Sequence, residues 1–122
     1  MRYDIKKQLK SFRYAWCGLK ECARKEQNMC FHLVAAVLVV AVGAAFRITR
    51  TEWMLAVLCI GLVVAAELVN TAIESVVDLA SPERHPLAAR AKDVAAAAVL
   101  VCAVTAAVVG LIIFVPYLVK LF

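Results

Sequence analysis

Residues 94–119, VAAAAVLVCAVTAAVVGLIIFVPYLV, contain no charged side chain. A helix needs about 20 mostly apolar residues to cross a bilayer core. In lipid the backbone must satisfy its own hydrogen bonds, so such a run predicts a transmembrane helix. Residues 29–46, MCFHLVAAVLVVAVGAAF, form a second run of this kind. A third begins at Trp53, but its uninterrupted apolar part, 53–66, is short. It reaches spanning length only by continuing into AELVNTAIESVVDLA, residues 66–80. The chain of 122 residues is 65% hydrophobic, whereas soluble domains hold roughly 45–50% apolar residues. These features predict one all-α integral-membrane domain over residues 1–122. Its expected parts are an amphipathic surface helix at 1–25 and transmembrane helices at 28–47, 52–80 and 86–119.

Residues 1–28 are too charged to be a signal peptide. Cys17, Cys22, Cys30, Cys59 and Cys102 form no CxxC pair and suggest neither a disulfide framework nor a zinc site. Ser81-Pro82 stops one helix, because the residue before proline disfavours helix. Pro86, tolerated in a first turn, opens the next, and Pro116 falls near that helix's end.

Charge sets the expected orientation. Of the 14 Lys and Arg, only Arg47, Arg50 and Lys120 fall on the side of the 47–52 loop. The rest lie in residues 1–28 or 81–93. The positive-inside rule places those two segments in the cytoplasm. Ile5, Leu9, Phe12, Trp16 and Leu19 recur at +4 and +3 and make one apolar stripe. A basic helix with Trp and Phe on its apolar face suits an anionic lipid surface. With three spans, the basic charge does not point to nucleic acid.

The third run carries the chemistry. At about 100° per residue, Glu67, Asn70, Glu74 and Asp78 fall within roughly 80° of arc. A charge in the bilayer costs at least about 2.5–3.5 kcal/mol, so a seam of three acids needs a metal, cationic partners, protons or water. Asp78 lies nearest the expected cytosol and Glu67 deepest. Glu26, Asn28 and His32 gather at the same level, as do Glu83, Arg84, His85, Arg90, Lys92 and Asp93. Acids for Mg²⁺ and bases for phosphate thus meet at one membrane boundary.

Three functions compete. A lipid-modifying enzyme would use a boundary carboxylate as general base on a lipid hydroxyl, with Mg²⁺ and ATP held by neighbouring charges. A transport subunit would carry polar groups through to the far leaflet, but residues 53–66 are apolar throughout. A small structural or regulatory membrane subunit is the third. The sequence has no GxxxxGK[ST] loop, no kinase-type glycine-rich loop and no HRD motif. Phosphoryl transfer here would rest on side chains and metal, which its chemistry permits.

The segments ELVNTAIESVVDL (67–79) and HPLAARAKDVAAAAV (85–99) resemble the signature of the prokaryotic diacylglycerol kinase family. The likeness extends over SFRYAWCGLK (11–20), EQNMCFHL (26–33), TEW (51–53) and GLIIFVP (110–116). Members of the Gram-negative diacylglycerol kinase type carry an acid where this chain has His32. The arrangement of Glu26, Asn28 and His32 is more similar to the undecaprenol kinase branch. The resemblance implies a homotrimer that phosphorylates a membrane lipid alcohol, undecaprenol or diacylglycerol, with ATP and Mg²⁺. It assigns Glu67 as catalytic base and Glu26 and Glu74 as magnesium ligands. Lys7, Tyr14, Glu26, Asn70, Glu74, Asp78, Glu83, Arg84, His85, Lys92 and Asp93 would form the nucleotide site. Ser11, Trp16, Asn28, His32, Trp53, Glu67 and Ala96 would face the lipid. Two positions depart from the family pattern: Lys7 replaces an arginine, and Ala89 replaces a glycine found in some members.

Overall fold

The computed structural model describes residues 2–122 and places four helices in them: α1 (Ile5–Lys25), α2 (Gln27–Phe46), α3 (Arg50–Ala80) and α4 (Pro86–Leu121). No strand occurs among the described residues. Three of these helices, α2, α3 and α4, are long and apolar enough to cross a membrane. The chain is thus an all-helical, multi-pass membrane protein.

Local chemistry sets the helix ends. Asp4 caps α1, accepting from the backbone N–H of Lys6 at 3.0 Å and of Lys7 at 3.3 Å. A single extended residue, Glu26 (φ −101°, ψ 116°), separates α1 from α2. Thr49 and Glu52 form a reciprocal capping box at the start of α3, satisfying two N–H groups that the first turn leaves free. His85 caps α4, its Nδ1 accepting from the N–H of Leu87 at 3.1 Å, with Pro86 at the first helical position. Pro116 does not end α4, which continues to Leu121.

α3 is the centre of the molecule. It packs along α4 over a long interface, and α2 lies against its other flank. α1 rests on α2 and touches α3, where Cys22 Sγ meets Thr71 Oγ1 at 3.5 Å. The buried residues of α3 are Ala56, Val63, Glu67 and Asn70. Their spacing keeps them on one helical face. Ala95, Val99 and Ile113 are the buried residues of α4, and the small Ala95 suits close helix approach in lipid. Outward-facing residues such as Val37, Leu58 and Leu111 are about as exposed as in a free helix. Lipid tails are the solvent that makes such a surface favourable.

At the Arg47 end the three long helices are tied together. The Tyr117 hydroxyl donates to Glu52 Oε1, so this carboxylate serves both the capping box and α4. Phe46 of α2 stacks on Tyr117, with ring centroids 5.7 Å apart and 12° between planes. Phe46 also lies 6.5 Å from the ring of Phe114. Arg47 turns the chain out of α2 with φ 52°, the left-handed region. Gly43 permits the close approach of the next helix, because a Cβ there would stand 2.9 Å from the Trp53 ring and 3.1 Å from Ile48 Cδ1. Gly43→Ala should therefore destabilise the protein in detergent by about 1–3 kcal/mol, the range for overpacking. Denaturant or thermal unfolding checks this. An unchanged midpoint would show that Trp53 rearranges freely.

Candidate active site

The polar seam of α3 is the direct continuation of its core stripe. Val63 is buried, and one turn further on Glu67 is buried as completely, at 1% exposure. Asn70 follows at 6%. Glu74 is half-buried and Asp78 exposed. The face that began as an apolar contact surface thus becomes acidic while still enclosed, and opens to the surface over its last turns. Placing a carboxylate at an enclosed position is costly unless partners compensate.

The partners are few. His32 of α2 holds its Nε2 3.8 Å from Glu67 Oε2. The side chains are 13% and 2% exposed. Asn70 Nδ2 donates to Glu74 Oε1 at 3.2 Å. Two buried oxygens, Glu67 Oε2 and Asn70 Oδ1, accept no hydrogen bond. Buried acceptors are rarely left unpaired, so the cluster is arranged for a donor or cation supplied from elsewhere. Among the described residues there is no group of three metal-ligating side chains, and hence no preformed metal cage.

Two hollows flank this cluster. Towards the Arg47 end, α2 and α4 stand apart above α3 and leave an apolar groove of about 310 Å³. His32 and Phe31 line one end of it, Ile113 and Phe114 the other, and Val63 and Val64 belong to its α3 wall. Towards the α3–α4 loop lies a charged hollow of about 570 Å³. Val77, Asp78, Glu83, Arg84, His85 and Lys92 line it. Glu67, Asn70 and Glu74 occupy the turns of α3 between Val64 and Val77, a rise of about 20 Å. One helix face therefore joins an apolar groove to a charged hollow through the buried Glu67 and Asn70 and the half-buried Glu74.

Other expected site residues scatter in this single chain. Asp78 and Lys92 come together across the loop, Oδ1 to Nζ 2.5 Å. Asp93 and Ala96 are exposed on α4, and Asn28 on α2. Lys7, Ser11, Tyr14 and Trp16 are exposed along α1. The hydroxyl of Ser11 is turned back onto the Lys7 carbonyl at 3.1 Å. Trp53 sits at the opposite end of α3, about 21 Å of helix from Glu67, over Gly43. Sequence reasoning did not pair His32 with Glu67, nor Lys92 with Asp78. The second pair had a signal, since opposite charges near the facing ends of helices joined by a short loop are neighbours in space.

Comparison with known proteins adds an independent line. A family model described as prokaryotic diacylglycerol kinase matches residues 13–114. The undecaprenol kinase of Bacillus subtilis (strain 168) is 45% identical over 117 residues, 96% of this chain and 95% of its own length. A diacylglycerol kinase of Synechocystis is 39% identical over 114 residues, 93% of this chain and 65% of its own length. The diacylglycerol kinase of Escherichia coli (strain K12) is 33% identical over 100 residues, 82% of each chain.

Proposed function

From the premise that the chain belongs to the prokaryotic diacylglycerol kinase family and is a lipid kinase, we propose that it phosphorylates undecaprenol with ATP, giving undecaprenyl phosphate and ADP. The observation that carries this reading is the path along α3, from apolar groove through Glu67 to charged hollow. A membrane-bound alcohol and a water-soluble nucleotide can meet only at such a junction. The 45% identity to an undecaprenol kinase over nearly the whole chain favours that alcohol over diacylglycerol.

Glu67 acts as the general base. It takes the hydroxyl proton as the alkoxide oxygen bonds to the γ-phosphorus, and the bond from that phosphorus to the ADP oxygen breaks. Asn70, Glu74 and Asp78 line the nucleotide side, continued by Glu83, Arg84, His85, Lys92 and Asp93. Lys92 is tied to Asp78 through partly exposed side chains, 40% and 65% open. Such a pair contributes about 0–1 kcal/mol, so a phosphate can replace the carboxylate at little cost. Lys7 and Tyr14 of α1 complete the nucleotide contacts. Ser11, Trp16, Asn28, His32, Trp53 and Ala96 form the lipid-facing set.

The cluster fits Mg²⁺, which is commonly held by one or two carboxylates together with substrate phosphates and not by an all-protein cage. Glu26 and Glu74 would hold it, near the unpaired Oδ1 of Asn70. Bound there, the ion would neutralise charge on the transferring phosphoryl group. In the wider assembly, we place residues 1–28 and the loop 81–93 in the cytoplasm of a bacterial inner membrane. α1 then lies on the anionic leaflet, because Ile5, Leu9, Phe12 and Trp16 of its stripe have no cover within the chain. A homotrimer sharing sites between subunits would bring the exposed α1 residues to a neighbour's nucleotide.

Purified protein given undecaprenol or diacylglycerol, with Mg²⁺ and labelled ATP, should phosphorylate undecaprenol with the higher kcat/KM. A higher value for diacylglycerol would overturn the substrate assignment and leave the kinase reading intact.

A further inference from the structure

We propose that His32 is a positioning residue for Glu67, and that its ring N–H, not its bulk, is what the reaction needs. The inference rests on the reading of Glu67 as base. A base with two oxygens must present one to the alcohol, and the terminal torsion of a glutamate is broad and roughly two-fold. Something must hold the other oxygen. Glu67 Oε2 is buried and accepts no hydrogen bond within the chain. The ring nitrogen Nε2 of His32 stands 3.8 Å away. Hydrogen-bond distance, about 2.7–3.2 Å, is reached by a shift of less than about 1 Å.

The surroundings of His32 fit that task. Its side chain is largely buried at 13% exposure. The ring meets Phe31 edge-on, with centroids 5.8 Å apart and planes at 74°. His32 comes from α2, whereas Glu67 comes from α3, so the pair spans the two helices at the head of the apolar groove. A nitrogen facing a carboxylate oxygen serves best as a donor, which leaves Glu67 as the proton acceptor. His32 then holds Oε2 while Oε1 meets the hydroxyl of the alcohol whose tail occupies the groove.

The test separates the donor from the shape. His32→Gln keeps an N–H donor on a side chain of similar reach, and His32→Leu keeps bulk without one. Each is assayed beside wild type and Glu67→Gln for kcat, for KM of lipid and ATP, and for nucleotide binding. We expect His32→Leu to lower kcat about 10–100-fold, as loss of an orienting partner does elsewhere. KM for ATP should hold, and His32→Gln should recover most of the rate. Equal kcat in the Leu and Gln variants, high or low, with nucleotide binding preserved would overturn the proposal. A loss confined to KM for the lipid would overturn it too, by making His32 a simple wall of the groove. If Glu67→Gln is inactive and both His32 variants match wild type, only the positioning role fails. If Glu67→Gln turns over normally, the base assignment itself is wrong.

Discussion

Glu67→Gln should abolish turnover while leaving nucleotide binding close to wild type. The amide is nearly the same size as the carboxylate and fits the same enclosed position, 1% exposed. It cannot take the proton of an alcohol. General-base catalysis contributes about 10²–10⁴ in rate, so kcat should fall by at least that order. The folded protein should not suffer, and its stability should rise. The native carboxylate is buried and lacks a hydrogen bond at Oε2. Removing a buried charge that serves chemistry relieves a strain kept for function. Measured together, kcat and the unfolding midpoint make this a two-sided test. A variant with wild-type kcat removes Glu67 from the base role. One that loses activity and also unfolds earlier points to a structural carboxylate.

The second large effect is expected at Glu74. Glu74→Ala removes a half-buried carboxylate and leaves Asn70 Nδ2 without its acceptor, now at 3.2 Å. If Glu74 helps to hold Mg²⁺, the concentration for half-maximal rate should rise about 10–100-fold or more, since even indirect supports of a metal have effects of that size. Glu74→Gln separates the two losses. It retains an oxygen for Asn70 but gives up the charge, so it should keep the local geometry and still need more Mg²⁺. A magnesium titration of the rate decides the matter. An unchanged Mg²⁺ dependence in both variants would remove Glu74 from the metal site.

The shared face of the acids was legible in the sequence, because helical periodicity is a local property. Glu67, Asn70 and Glu74 do follow one another up a single side of α3. Which way that side points was not legible. It is fixed by where α2 and α4 come to rest, and those helices are distant in sequence. Topology put Glu67 deepest and Asp78 nearest the cytosol, but the enclosure of Glu67 by the protein itself emerged only with the fold. His32 and Glu67 likewise approach through packing, and no spacing rule links residues on different helices. The Glu52–Tyr117 contact joins positions 65 apart in sequence and is invisible to any local pattern. The resemblance set Trp53 among the lipid-facing residues; in the structure its ring closes over Gly43. End signals were more readable. Pro86 opens α4 as its chemistry demands, whereas the break at Glu26 has no glycine or proline to announce it.

The tie made by Tyr117, Glu52 and Phe46 at the Arg47 end, and the loop 81–85 beside the Lys92–Asp78 pair, pin α3 and α4 at both ends of a shared length of about 37 Å. Two rods clamped at both ends resist sliding and splaying alike, so the enclosed carboxylate of Glu67 between the clamps keeps its depth.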